Sequence, residues 1–255
     1  MISNSNDSYF PHFPVRCTQA DNRSWEYFHK VYCVSLKDRK DRQEEVISEF
    51  LKVGLLSRVE FLLAEKHPTD PEQGIYESHM ACVRKGLDAG AENILIFEDD
   101  IVFDRFSPAT LRNCVDFLAN CPEWNMLSFG CMVKSSRRTR NKSILKIRFR
   151  SLCHAYVLNR PFAETIIRTP WNKVPLDDMF RDLQDEDTYA AYPAFAFQSS
   201  SRSDNLRFLM LDRFRRLCGG LRNVQKLNEL YHRRKPLVIG SHIVLILLLI
   251  WIWTK

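Results

Sequence analysis

Glycine is scarce in this sequence, and no glycine-rich loop is present. Only 8 of the 255 residues are glycine, and neither a GxGxxG nor a GxxxxGK[ST] pattern occurs. Dinucleotide-binding and P-loop proteins need such glycines so that the backbone can approach a phosphate closely. The sequence therefore excludes both of these nucleotide-binding classes.

The eight cysteines lack metal-binding spacing. None forms a CxxC pair, so a structural zinc site is not predicted. Cys33, Cys82 and Cys153 lie among apolar residues, where cysteine often serves as a small core residue. Residues 1–30 are polar and mixed and show no signal peptide. We therefore expect reduced thiols in a protein body that lies in the cytoplasm.

Basic charge is concentrated near the C-terminus. Residues 1–201 hold 26 Lys and Arg against 28 Asp and Glu, whereas residues 202–235 hold 10 against 3. This local excess indicates a partner of that segment rather than of the whole body. Either anionic lipid headgroups or plain solvent would suit its basic side chains. Those considered for lipid contact are Arg213, Arg215, Arg216, Arg222 and Lys226.

A nearly unbroken apolar run extends from Leu237 to Trp253. As a helix it would be about 25 Å long, at the short end for a bilayer span. Trp251 and Trp253 suit a membrane interface, and the basic residues 231–235 would lie on the cytoplasmic side. A buried core helix is the alternative, but core helices rarely lack polar residues so completely. We predict a C-terminal membrane anchor.

Three acids interrupt an apolar run in the segment NILIFEDDIVF at 93–103. The Ile, Val and Phe residues indicate a buried strand. Ionised carboxylates need a cation, hydrogen-bond donors or a position at the strand end. The strand could end in solvated acids. We favour a Mg²⁺ or Mn²⁺ site, because these cations take one or two carboxylates and add phosphate and water ligands.

Strand and helix patterns alternate from residue 30 onwards, which predicts an α/β sheet with parallel strands. Residues 1–28 are expected to form a loose lead-in. Strands are predicted at 30–36, 58–65, 94–98 and 125–130, and helices at 37–56, 75–90 and 107–122, with a strand and a helix sharing 154–169. Residues 66–74 are predicted to form a loop.

The stretch from Lys134 to Arg150 contains eight Lys or Arg and no acid. We expect either a solvated loop or a surface for an acidic acceptor or for lipid phosphate. Phe149 is the one aromatic residue among these basic residues. Because nucleic-acid binding surfaces combine basic residues with several aromatic ones, nucleic acid is not an expected partner.

Seven motifs, taken in order, resemble glycosyltransferase family 25, the lipooligosaccharide and procollagen galactosyltransferase group. Each motif is weak alone, but their order across most of residues 30–205 is specific. They are YCVSLKDRKDR (32–42), GIYESHMACVRKGL (74–87), ILIFEDD (94–100), EWNMLSFG (123–130), HAYVLNRPFAETII (154–167), VPLDDMF (174–180) and YAAYPAFAFQSSSRSD (189–204). The second motif departs from the family at Tyr76 and Glu77, where members have small residues and Cys.

The resemblance implies a GT-A-like (Rossmann-like) α/β domain that binds a nucleotide sugar, with UDP-galactose as the expected donor and Mn²⁺ or Mg²⁺ as cofactor. A divalent cation neutralises the diphosphate leaving group without proton transfer. Glu98 and Asp100 are assigned to the metal and Asp99 to the donor, and the division among the three is left open.

Further positions match the family's donor site. Ser35 and Arg39 follow the first strand, and a strand cap and a surface charge are their alternatives. Ser78 and His79 begin a predicted helix, whose N-terminus favours a diphosphate, and a capping Ser and a structural His are the alternatives. Three residues match the last motif: Gln198, Ser203 and Asp204.

An inverting sugar transfer also needs a base for the acceptor hydroxyl. By resemblance Asp177 takes this role and Asp178 is the next choice, although either could instead cap the following helix. The predicted organisation has four parts, listed from the N-terminus: a lead-in at 1–29, a glycosyltransferase domain at 30–205, a basic juxtamembrane segment at 206–235 and a membrane anchor at 236–255.

The predicted function is transfer of a sugar, expected to be galactose, to a glycan, glycolipid or protein acceptor. Two other classes remain open. A metal-dependent nucleotidyltransferase would use the same acids, but no lysine-bearing phosphate loop is present. A non-catalytic, membrane-anchored binding module would be expected to lose its acids, yet Glu98, Asp99, Asp100 and Asp177 are all present.

Overall fold

The computed structural model describes residues 22–183, 185–199 and 220–254. The strands of this part of the chain are β1 (Lys30–Leu36), β2 (Val59–Ala64), β3 (Asn93–Glu98), β4 (Ile101–Phe103), β5 (Met126–Ser128), β6 (Met132–Arg138), β7 (Ile144–Ser151), β8 (Ala155–Asn159), β9 (Thr188–Ala191) and β10 (Ala196–Gln198). Its α-helices are α1 (Lys40–Lys52), α2 (Pro71–Asp88), α3 (Pro108–Asn120), α4 (Arg160–Ile166), α5 (Leu176–Asp182), α6 (Leu221–Arg233) and α7 (Lys235–Trp253).

Eight strands form one mixed sheet in the order β2-β1-β3-β8-β5-β9-β7-β6. β1 pairs in parallel with β2 and β3, and β5 pairs in parallel with β9. β8 lies antiparallel between β3 and β5, and β7 is antiparallel to β9. The predicted α/β sheet is confirmed, but the prediction of parallel strands is wrong for β7 and β8. No helix precedes either strand to provide a parallel crossover.

Apolar side chains pack on both faces of the sheet. On one face, Trp25 and Phe28 are buried with Phe97 and Phe129 in an aromatic cluster. The Nε1–H of Trp25 donates to the carbonyl of Val53 over 3.0 Å. Residues 22–28 were expected to belong to a loose lead-in, and this expectation is wrong for them, because their aromatic side chains complete the core.

The basic stretch between Lys134 and Arg150 forms the β6–β7 hairpin, so the prediction of a loop is wrong. Ile147 and Phe149 of β7 point into the core on one face of the sheet. Basic residues of the hairpin are exposed on its other side and at its turn. Buried apolar and exposed basic residues alternate along β7, as expected for a strand that has one face on the core and the other exposed to solvent.

α6 packs against the protein body. Gln225 is buried and donates to the carbonyl of Ala196 in β10 over 2.9 Å. The side-chain amide of Asn228 accepts from the N–H of Val133 and donates to its carbonyl, at 2.9 and 3.2 Å. It thereby satisfies backbone groups on the edge strand β6. From residue 221 onwards, the predicted juxtamembrane segment is therefore a docked part of the fold.

Two of the side chains considered for lipid contact are occupied elsewhere. Arg222 and Lys226 each lie 2.6 Å from a carboxylate oxygen of Asp104. Both side chains stay partly exposed, and their predicted contact with lipid headgroups stays a prediction. The other three candidates, Arg213, Arg215 and Arg216, lie outside the described residues.

α7 follows α6 after a break at Arg234. It is 19 residues long, and its apolar side chains are exposed rather than packed on the body. Within the described part of the chain it is the one helix long and apolar enough to cross a membrane. Its length and composition agree with the predicted C-terminal anchor, and they exclude a buried core helix in this fold.

Candidate functional site

The acid motif lies where the central strand β3 ends. Glu98 is the last residue of β3, and Asp99 and Asp100 form the turn that leads into β4. β4 pairs with β10, and the N–H of Ser199 donates to the carbonyl of Asp100 over 2.7 Å. The chain after β9 therefore closes over the acid turn and brings Gln198 to Glu98. The predicted position of the acids, at the carboxyl end of a buried strand, is confirmed.

Asp99 is buried and held by two donors. The hydroxyl of Ser35 donates to one carboxylate oxygen over 2.7 Å, and Nη1 of Arg42 lies 3.0 Å from the other. The guanidinium of Arg42 and the hydroxyl of Ser35 offset the cost of burying this carboxylate. Ser35 therefore positions Asp99 in this structure, and its predicted contact with a donor nucleoside stays a prediction.

Glu98 forms no ion pair with a lysine or arginine among the described residues, although the charge of Arg42 lowers its pKa somewhat. Nε2 of Gln198 donates to Oε2 of Glu98 over 3.3 Å, and Nε2 of His79 lies 3.5 Å from Oε1. Burial, together with the charges of Asp177 and Asp99, raises the pKa of Glu98 to about 8. The site thus penalises the ionised carboxylate when no cation is added to it.

Asp100 carries a buried oxygen without a partner. Its Oδ1 atom has no hydrogen-bond donor in the part of the chain that the structure describes. Burial and the charge of Glu98 raise the pKa of Asp100 to about 8. A buried carboxylate oxygen without a partner is costly, so this atom and Glu98 together favour an added positive charge.

The arrangement suits a cation that does not need a complete protein cage. Within the described ranges, no three His, Cys, Asp or Glu side chains form a ready-made metal site. Mg²⁺ is commonly bound through one or two carboxylates plus substrate phosphates and water. Glu98 and Asp100 fit that mode, with the unpartnered Oδ1 of Asp100 as the first ligand to be expected.

Asp177 lies across the same cavity, in the first turn of α5. Its two carboxylate oxygens accept from the backbone N–H groups of Leu152 and Cys153, at 2.9 and 3.0 Å. The predicted alternative, that it caps α5, is therefore not what its side chain does. Asp178, the neighbouring candidate, instead pairs with Arg181 and is partly exposed to solvent.

Ser78 and His79 do not begin a helix, so that prediction is wrong. Asp70 caps α2 by accepting from the N–H of Glu72, and Pro71 occupies the first turn. The helix thus starts four residues before the predicted position. The hydroxyl of Ser78 donates to the carbonyl of Gly74 within α2, and the predicted diphosphate contact through a helix N-terminus is lost for both residues.

His79 instead links two other groups. Its Nδ1 atom lies 2.8 Å from the hydroxyl of Tyr156, and the two rings are stacked. Burial lowers the pKa of His79 to about 4, so the ring is neutral at pH 7. When Glu98 is ionised, as a metal ligand would be, the ring proton on Nε2 faces Glu98 and the phenol donates to Nδ1.

These groups share one cavity of about 470 Å³. Arg39 lines it and also pairs with Asp41 at 2.9 Å. Most predicted site residues meet here, namely Ser35, Arg39, Ser78, His79, Glu98, Asp99, Asp100, Asp177, Asp178 and Gln198. Ser203 and Asp204 lie outside the described residues.

Sequence reasoning missed four residues that contribute to the site. Arg42 lies within the first motif, where the Asp-Arg pair at 38–39 is repeated at 41–42. This repeat could have pointed to Arg42 as a site residue. Tyr156 and the amides of Leu152 and Cys153 reach the acids only through the tertiary fold. Leu152 has a positive φ of 78°, which no residue type in this segment signals.

Comparison with known proteins gives likeness in fold alone. No family model and no curated protein matches the chain. A197 from STIV is 12% identical, with 66% of this chain and 83% of that chain covered and a TM-score of 0.43. A glycosyltransferase involved in the glycosylation of the major capsid of PBCV-1 is 10% identical, with coverage of 74% and 99% and a TM-score of 0.41.

A putative glucose-1-phosphate thymidylyltransferase from Bacillus anthracis is 12% identical, with coverage of 71% and 75% and a TM-score of 0.39. All three solved structures match with TM-scores below 0.5. At such scores they carry no argument about function, which rests on the site.

Proposed function

We propose that the chain is a metal-dependent glycosyltransferase that moves a sugar from a nucleoside diphosphate sugar to a glycan, glycolipid or protein acceptor. The observation that supports it best is the group of three acids at the end of β3, in which Asp100 keeps a buried oxygen without a described partner. The family 25 resemblance makes UDP-galactose the first donor to test.

Glu98 and Asp100 would hold Mn²⁺ or Mg²⁺ in this proposal. When bound there, the cation would supply positive charge to a diphosphate leaving group. Asp99, fixed by Ser35 and Arg42, would support the geometry of the two ligands beside it. Arg39 lines the same cavity and adds positive charge for the donor.

Asp177 would act as the base for the acceptor hydroxyl. The amides of Leu152 and Cys153 hold its carboxylate in one orientation, and each oxygen keeps a further lone pair for an incoming proton. A fixed carboxylate that lines the same cavity as the proposed metal ligands could reach the acceptor hydroxyl, as a general base must. Asp178 has its charge matched by Arg181 and is the second choice.

The test uses the full chain in nanodiscs and a panel of nucleotide sugars. With Mn²⁺, we expect release of the nucleoside diphosphate from one donor, and we expect a chelator to stop it. Asp100→Asn should abolish this release and should also reduce the rise in melting temperature that Mn²⁺ produces. Asp116→Asn, at an exposed position on α3, is the matched control and should behave like the wild type.

Two results would replace the proposal. Release of pyrophosphate from a nucleoside triphosphate and a sugar phosphate would identify a nucleotidyltransferase. Folded protein that neither cleaves nor binds any donor, with or without metal, would identify a non-catalytic module.

A further inference from the structure

The end of α6 and the turn of the β6–β7 hairpin, which both carry exposed basic residues, each contact Tyr192. The guanidinium of Arg233, at the end of α6, lies 5.8 Å from the ring centre of Tyr192. The N–H of Tyr192 in turn donates to the carbonyl of Ser143, in the turn of the β6–β7 hairpin, over 2.8 Å. Tyr192 therefore contacts both the hairpin turn and the end of α6, two residues before α7 begins.

A second relationship supports this placement. Burial raises the pKa of Tyr192, and the charges of Arg233 and Arg138 both act against that rise. Arg138 is the last residue of β6, so the charges of the hairpin and of α6 converge on one phenol. We call the six exposed basic side chains of this region the basic collar: Arg138, Arg140, Lys142, Arg233, Arg234 and Lys235.

The nearby acid does not neutralise the basic collar. Glu229 on α6 is mostly buried and lies 2.6 Å from Arg105, which balances its charge. Residues 134–150 contain no acid at all. The basic collar is thus a concentrated positive surface. Without an anionic partner, its like charges repel one another and destabilise the fold.

We propose that the basic collar binds anionic lipid headgroups of the membrane that α7 enters. The occupant follows from position, because Lys235 is the first residue of the apolar helix, Arg233 and Arg234 directly precede it, and Tyr192 connects Arg233 to the hairpin turn. Basic residues next to a membrane-spanning helix are attracted to anionic lipid within about one Debye length of the surface. The docking of α6 on β6 and β10 would hold the hairpin against the headgroups.

This proposal depends on insertion of α7 and not on the catalytic function. The experiment measures amide hydrogen exchange of the full chain in nanodiscs, either of phosphatidylcholine alone or with phosphatidylserine added. We expect phosphatidylserine to slow exchange in residues 138–143, and we expect high salt to remove the slowing. Catalytic activity is not part of the readout, so failure of the proposed glycosyl transfer leaves this test intact.

A pair of variants separates the basic collar from net charge. Arg140→Glu with Lys142→Glu should abolish the effect of phosphatidylserine. Lys40→Glu with Arg84→Glu makes the same change in net charge, but on α1 and α2. This control pair should retain the effect of phosphatidylserine on exchange. Equal exchange in both lipids, loss of the effect in the control pair, or failure of the chain to enter nanodiscs would each overturn the proposal.

Discussion

The hydroxyl of Tyr156 lies 2.8 Å from Nδ1 of His79 in a fully buried contact. The other ring nitrogen of the neutral imidazole faces Glu98 at 3.5 Å, and when Glu98 is ionised the hydroxyl donates to Nδ1 and leaves the ring proton on Nε2. Among the described residues, Nε2 of His79 has no closer hydrogen-bond partner. The pair thus orients a proton toward a candidate metal ligand, a role like that of outer-shell partners in metal sites.

Tyr156→Phe should therefore weaken metal binding and activity more than stability. We expect a loss of about tenfold or more in affinity for Mn²⁺, as for other outer-shell changes, and a stability cost of about 1 kcal/mol for the lost hydrogen bond. Manganese titration and chemical denaturation would measure the two effects separately.

Tyr32→Phe is the matched control for that variant. The hydroxyl of Tyr32 is buried without a hydrogen-bond partner among the described residues, so its removal should not reduce stability. If both variants bound Mn²⁺ equally well, the proposed orientation of Glu98 through His79 would be wrong.

Asp177→Asn should reduce sugar transfer by on the order of a hundredfold or more, because the variant cannot accept the acceptor proton. Asp178→Asn should cost much less, since that side chain pairs with Arg181 near the solvent. Initial rates with a chosen donor and acceptor would decide between them. A larger loss at Asp178 would reverse the two assignments.

Gly130→Ala should destabilise the fold strongly. A Cβ atom at Gly130 would lie 1.8 Å from the carbonyl oxygen of Ala196 and 2.7 Å from Nε2 of Gln225. Both neighbours belong to packed elements, and we expect a cost of about 3 kcal/mol in the free energy of unfolding, at the upper end for overpacking. Because Ala196 belongs to β10, which carries Gln198, activity should fall as well.

Gly90→Ala provides the comparison for that substitution. Gly90 has a φ of 73° with open space around it, so only the left-handed backbone is strained, at about 1 kcal/mol. Urea denaturation of the two variants should rank Gly130→Ala as the more damaging. The opposite ranking would show that β10 and α6 can move away from Gly130 at little cost.

The docking of α6 should weaken in acid. Burial tends to raise the pKa of Asp104, but hydrogen bonds from Lys226 and Arg222 outweigh it and lower the pKa from 3.8 to about 2. A carboxyl group with a lowered folded-state pKa stabilises the fold above its unfolded pKa, and this stability is lost as the pH falls. The relevant window is therefore from about pH 4 down to about pH 2.

Asp104→Asn tests that effect. The difference in unfolding free energy between the wild type and this variant should be largest above about pH 4 and should shrink as the pH approaches about 2. Asp88→Asn, at an exposed position, should show no such dependence. A constant difference for Asp104→Asn over this range would show that the ion pairs do not contribute.

Local patterns predicted the elements whose sequence and burial agree. β1 was predicted with its observed bounds because KVYCVSL is apolar and rich in β-branched residues. The β6–β7 hairpin was missed because its strands carry many charges, and the start of α2 was missed because Pro71 and Asp70 were taken as loop signals rather than as a cap. The partners of Asp177 come from a distant segment, which no spacing reveals.

The direct junction of α6 and α7 has a consequence for the encounter with substrate. Gly220 and Leu221, at the start of α6, line the cavity, and a helix of 13 residues is about 20 Å long. Where α7 crosses a bilayer, the cavity would thus lie about one α6 length, or about 20 Å, from the point where α7 enters the membrane. Acceptors confined to the same leaflet would meet it by lateral diffusion, at a raised effective concentration.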